Sequence, residues 1–348
     1  MTRPEPIRRA FTLIEVAAVL AALAIGAILA LPQFQEARAT AWRIKDSTQL
    51  RGIAQASAVW AQYNDERFPT PSAIDQSGVT IQRPEGLEGP DHRLDTTGNV
   101  LSLLMWNGFF RVDLAVSPAE VGNVEAFDGY RSANPPSAVD PERALWDPAF
   151  RGTPLDEWGG RMPGKVGDAS HNSYAQLAWF GARDRLWSNM FDSKRADFGN
   201  RGPAYTLDGD AWVPLSDSPF GDGSTTMRIH GEPTTWEGNI VFNDQHTEFV
   251  TRPDPEKHVW TFIRPGTDEP FELPDNFFHA EHDRTRALID EGVSIVKDND
   301  ARGIIRGSLD REDNPGAGAL DQRNNYLRPI AKVVPGEGSR IEAHVWVD

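Results

Sequence analysis

The alternation of apolar and polar positions divides the chain into three stretches. From Val16 to Leu31 every residue of VAAVLAALAIGAILAL is apolar or Gly. With FTLI in front, the run reaches the roughly 20 residues that cross a bilayer as a helix. Beyond Pro32 the pattern turns amphipathic: Phe34, Ala37, Ala41 and Ile44, then Leu50, Ile53, Ser57 and Trp60, recur at three- or four-residue steps, which predicts a helix with one apolar face. An unbroken helix from Phe11 to Asn64 would be about 80 Å long, and Asn64, Pro69 and Pro71 stop it. Pro32 cannot donate a hydrogen bond to the carbonyl of Ile28, so the helix is expected to kink or loosen there, or to end.

After Thr70, Pro, Gly, Asp and Trp become frequent and the helical period fades. Residues 72–99 read as loop. VLSLLMW reads as a short helix, and FFRVDLAV, NSYAQLAWFG, TMRIHG, GNIVFN, TEFV and HVWTFI read as strands. The expected class is therefore α+β, a long N-terminal helix packed on a mostly antiparallel sheet. The expected divisions are a basic leader (1–10), a transmembrane helix (11–34), an amphipathic stalk (35–66), a β-rich body (67–252) and a C-terminal extension or small subdomain (253–348). The last stretch holds a candidate helix, RTRALIDEGVSIVK, and a strand, RIEAHVWVD.

Charge adds direction to this layout. Arg3, Arg8 and Arg9 precede the apolar run, whereas the chain as a whole has 35 basic and 51 acidic residues, a net −16. A basic start and an acidic bulk favour a cytoplasmic N-terminus and an exported body, although Arg38, Arg43 and Lys45 follow the run closely. The acidic balance disfavours nucleic acid as a partner. The absence of cysteine excludes disulfides, thiolate metal sites and cysteine catalysis.

Glu15 is the anomaly, a carboxylate at the start of a bilayer-spanning run, where its cost marks it as a functional residue. A secretory signal, a twin-arginine export signal and a plain single-pass anchor are all open readings of the segment. The stretch Ala10-Phe11-Thr12-Leu13-Ile14-Glu15, after a basic leader and before an apolar helix, resembles the N-terminus of type IV prepilins and type II secretion pseudopilins, with Ala10 in place of the usual Gly. The resemblance implies cleavage between Ala10 and Phe11 by a prepilin peptidase, N-methylation of Phe11, pairing of Glu15 with the new amino group of a neighbouring subunit, and a bend at Pro32 in the filament. It also implies an inner-membrane assembly platform, other pilin subunits and the lipid bilayer as partners. AQYNDERFP, LAVSP and RIHGEPTTWEGNIVFNDQHTEFV further resemble a large pilin-like family of planctomycete-type bacteria, with Ser117 replacing a cysteine and Asp244-Gln245 replacing Asp-Gly.

Other chemistry is sparse. Asp208 and Asp210, Asp217 and Asp222, and Asp298 and Asp300 stand in turn-like sequences of the kind that ligate calcium, without the full EF-hand pattern. His279 and His282, beside Glu281 and Asp283, lack HExxH spacing and an evident third ligand. His230, His246 and His258 read as packing or hydrogen-bonding residues of a sheet, and Ser173, near His171, has no nucleophile-elbow context. No catalytic constellation is evident. The eleven Trp residues fit either a recognition platform for sugar or peptide or a Trp-rich core. A membrane-tethered binding module for carbohydrate, peptide or calcium is thus the alternative to a filament subunit.

Overall fold

The structure is a computed structural model that describes residues 13–154, 169–208, 211–216, 218, 220–263, 270–279, 302–308, 324–335 and 340–347. Helix α1 (Leu13–Gln62) is unbroken for 50 residues, about 75 Å. It passes through Pro32, so the helix does not end there. Its far half docks on the body, where Leu50, Ile53, Ser57 and Trp60 are all buried.

The first half of the same stripe behaves differently. The side chains described between Leu13 and Ala41 are exposed, Ala30 apart, with Phe34 at 70% and, just beyond, Ile44 at 64%. The amphipathic pattern therefore continues some 15 Å closer to the N-terminus than the body that covers it.

The body is built on a five-stranded antiparallel sheet of order β10-β1-β2-β5-β6, formed by β1 (Tyr174–Leu177), β2 (Ala196–Asn200), β5 (Gly238–Phe242), β6 (Thr247–Val250) and β10 (Leu327–Arg328). Helix α1 lies on β5, β2 and β6 and touches α3 (Thr97–Trp106). A short helix α2 (Pro71–Ile74) follows the stalk. Two hairpins, β3 (Tyr205–Asp208) with β4 (Ala211–Pro214) and β7 (Val259–Ile263) with β8 (Pro270–Pro274), flank the sheet. A second antiparallel sheet has the order β11-β12-β9, from β9 (Arg302–Ser308), β11 (Ile330–Pro335) and β12 (Arg340–Trp346). The long helix on antiparallel sheets makes the class α+β.

Some of the described residues after 253 pack into the body. Leu327 and Arg328 pair with Leu177 and Gln176 at the edge of the central sheet, and Ile330, Val333, Ala343 and Val345 join the core that includes Leu50 and Ile53. The candidate helix RTRALIDEGVSIVK lies outside the described residues.

Two expected strands hold turns of 3-10 helix, Val112–Ala115 within FFRVDLAV and Thr225–Arg228 overlapping the start of TMRIHG. In the first, Gln49 of α1 donates to the carbonyls of Asp113 and Val116 at 3.2 and 3.1 Å, so a tertiary contact overrides the alternating pattern. In the second, the Ser224 hydroxyl accepts from Thr226 N–H at 3.2 Å and caps the turn. Trp146, Trp179, Trp187 and Trp236 are fully buried. Trp187 stacks on Trp179 at 5.7 Å and meets Phe68 edge-on at 5.1 Å. These four indoles are core residues rather than a surface platform.

Candidate functional site: the projecting helix and its socket

The exposed part of α1 and its docked part meet at Asp46. This residue continues the apolar stripe (46, 50, 53, 57, 60) with a carboxylate, and the sheet beneath supplies its donors. The Tyr174 hydroxyl donates to Oδ1 at 2.9 Å, the Asn239 amide donates to Oδ2 at 2.8 Å, and His230 Nε2 lies 3.0 Å from Oδ2. Asp46 is fully buried. Burial alone would raise its carboxyl, but the hydrogen bond and charge of His230, with Ser117 and Asn239, hold it below the usual range. A neighbouring turn of the helix adds Arg43, which pairs with Glu237 at 2.9 Å and lies over the Phe249 ring at 4.3 Å. Separate segments of the body thus grip α1 at Arg43 and Asp46.

Beside this socket, Arg201 donates to both Glu120 oxygens at 2.9 and 3.0 Å and stacks on Trp346 at 3.9 Å. Burial raises the Glu120 carboxyl, yet the Arg201 charge and the Gly122 amide bring it below its ordinary value. Breaking one side of such a buried pair is costly because a bare charge remains.

The segment N-terminal to the socket is the only helix among the described residues long and apolar enough to cross a membrane. Glu15 lies near the start of the described part of this helix. Ala10 and Phe11, the expected processing residues, lie outside the described residues.

The remaining candidates separate. Asp208 ends β3, while Asp210, Asp217, Asp298, Asp300 and His282 lie outside the described residues. His279 Nδ1 sits 3.2 Å from the Tyr205 carbonyl and its ring lies against Trp212 at 4.5 Å. Among the described residues no group of three His, Asp or Glu side chains is placed to hold a metal ion. His246 and His258 both stack on Phe242, at 4.4 and 5.0 Å, and His171 stacks on Phe127 while its Nδ1 accepts from the Arg151 amide. Ser173 Oγ accepts from the Ser117 amide at 2.9 Å, a structural role next to the socket.

Sequence reasoning missed the socket. Its one visible signal was Asp46 itself, a charge on an otherwise apolar stripe, whereas Tyr174, Asn239 and His230 come from distant segments. No family model matches the chain, and no curated protein or solved structure matches it either.

Proposed function

We propose that this chain is a structural subunit of a type IV pilus or type II secretion pseudopilus, anchored in the inner membrane with its N-terminus cytoplasmic and assembled through the projecting half of α1. In this reading a prepilin peptidase cuts between Ala10 and Phe11, Phe11 is N-methylated, and Glu15 pairs with the new amino group of a neighbouring subunit. A carboxylate near hydrocarbon is offset once it is paired.

The observation that supports the reading best is the exposed stripe beyond the apolar run. A plain anchor needs one apolar segment and a polar linker, but here Phe34 and Ile44 extend an apolar face past Leu31, and a neighbouring helix would cover it. Pro32 fits the same picture, since the missing bond to Ile28 gives one turn that can loosen during packing. Burial of Trp146, Trp179, Trp187 and Trp236 weighs against the binding-module alternative in its Trp-platform form. The test is the N-terminus of the membrane-borne protein made beside its peptidase: a start at Phe11 supports processing, and a start at Met1 contradicts it.

A further inference from the structure

Arg38, Arg43 and Lys45 follow the apolar run, on the flank where a helix with a cytoplasmic N-terminus ordinarily carries few basic residues. The body engages one of them: Arg43 pairs with Glu237 at 2.9 Å and covers the Phe249 ring. Arg38 and Lys45 are exposed, and neither pairs with an acid among the described residues. Arg38 instead meets Trp42, its guanidinium 4.2 Å from the centre of the ring.

These residues make one face. At about 100° per residue, Arg38, Trp42 and Lys45 fall within roughly 60° of one another around α1. Glu36 lies roughly 160° from Arg38, and Asp46 is buried in its socket. Height along the helix matters as much. Arg38 stands seven residues beyond Leu31, about 10 Å along the axis, and the Trp42 side chain leans back toward the N-terminus to meet it. The stack therefore sits at the outer edge of a headgroup layer about 5–8 Å deep, where Trp is a common interfacial anchor. With its face against the indole, the guanidinium keeps its in-plane N–H groups open, in the fork that fits a phosphate. Lys45 lies about 10 Å further out, on the order of one Debye length, and adds long-range attraction to a charged surface.

We infer that the Arg38-Trp42-Lys45 face of α1 binds the headgroups of anionic phospholipids on the exported side of the membrane and so sets the depth of the helix. This rests on the proposed crossing of the membrane by α1. Charge complementarity selects the occupant, since two cations without an acidic partner, on a helix that emerges from a bilayer, stand next to lipid phosphates.

The full-length chain is reconstituted in phosphatidylcholine bilayers with a trace of spin-labelled phosphatidylglycerol or spin-labelled phosphatidylcholine. Electron spin resonance reads the fraction of each label slowed by the protein. The phosphatidylglycerol label is expected to be preferred roughly fivefold, and the preference should shrink as salt is added. Arg38→Gln combined with Lys45→Gln should remove most of it, against a contribution from Arg3, Arg8 and Arg9 that is the same in every variant. Arg38→Lys, which keeps the charge without the fork, should retain part. Equal slowing of both labels, or a preference unchanged in the double variant, overturns the inference.

The sequence has no cysteine, so Leu23→Cys, on the exposed apolar helix, separates the two failures. If it is protected from a water-soluble maleimide while no lipid preference is found, α1 lies in the bilayer and only the headgroup contact is wrong. Rapid labelling means that α1 does not cross, and both readings fall. If Arg38→Gln weakens cross-linking between Leu23→Cys copies and leaves the lipid preference unchanged, the face meets a neighbouring chain and the inference is likewise overturned.

Discussion

The Tyr174 hydroxyl, on the first strand of the central sheet, donates at 2.9 Å to Asp46 on the stalk helix, 128 residues earlier in the chain. The bond ties the projecting element to the body and is sheltered from water on both sides, Tyr174 being 2% exposed and Asp46 0%. Removing the acceptor leaves the Tyr174 and Asn239 donors and His230 buried without it. Asp46→Ala is therefore expected to destabilise the chain by roughly 3–5 kcal/mol. Urea unfolding of the detergent-solubilised protein, followed by Trp fluorescence, measures this. A loss under about 1 kcal/mol, the scale of an exposed pair, would show that the socket is not a buried clamp.

Stability should fall as pH rises through the neutral range. Burial, only partly countered by Arg195 and Asn243, pushes the Asp197 carboxyl to about 7, and burial beside Asn324 and Asn325 pushes Asp275 to about 6. Unfolded aspartates titrate near 3.9, so between roughly pH 4 and 7 the folded state holds protons that the unfolded state has released. The contribution of each group is full below pH ~4 and is lost through its folded value, on the order of a few kcal/mol for Asp197. His258, held below its ordinary value by burial, acts in the opposite sense near pH 6. The difference between wild type and Asp197→Asn isolates the aspartate: the variant should show a flatter stability profile between pH 5 and 7, and an unchanged slope would refute the assignment.

Phe191 is 68% exposed and has φ +55°, so Phe191→Gly should stabilise the protein. The left-handed conformation costs a non-glycine residue about 1–2 kcal/mol, and the extra freedom of Gly in the unfolded chain returns about 0.5–1 of that. The net gain is up to about 1 kcal/mol, read from the urea midpoint. A variant less stable than the wild type would make Phe191 an ordinary packing residue.

Glu15→Gln removes the charge and keeps the size and hydrogen-bonding capacity. Membrane insertion and cleavage before Phe11 should persist, since a neutral residue enters hydrocarbon more readily, while helix-to-helix cross-linking through Leu23→Cys should fall sharply. Equal cross-linking with Gln would mean that no charge pair forms at this position.

The helical half of the molecule was legible because its signals are local. The apolar run, the three- and four-residue steps and the stop at Asn64 lie in consecutive sequence, and the structure returns a helix from Leu13 to Gln62. Strands β5, β6, β7 and β12 showed as short apolar runs. Strand β2, with the sequence ADFGN, did not: Asp197 and Gly199 have poor strand propensity, yet Asp197 meets Arg195 and Asn243 and Gly199 pairs with Ala175 and Ile240 across the sheet. FFRVDLAV misled because its alternation is real, yet Gln49 draws two of its carbonyls to the stalk. The Asp46 socket is assembled from segments up to 193 residues apart, so no window of sequence displays it.

The central claim is that α1 enters a filament after maturation. The most direct measurement is intact mass and N-terminal sequencing of the protein recovered from membranes of a host expressing its prepilin peptidase. The account predicts a chain that begins at Phe11 and is one methyl group heavier than the unmodified cleavage product. A chain that still begins at Met1, or one cut after Leu31, would contradict it and leave a plain anchor or an exported body.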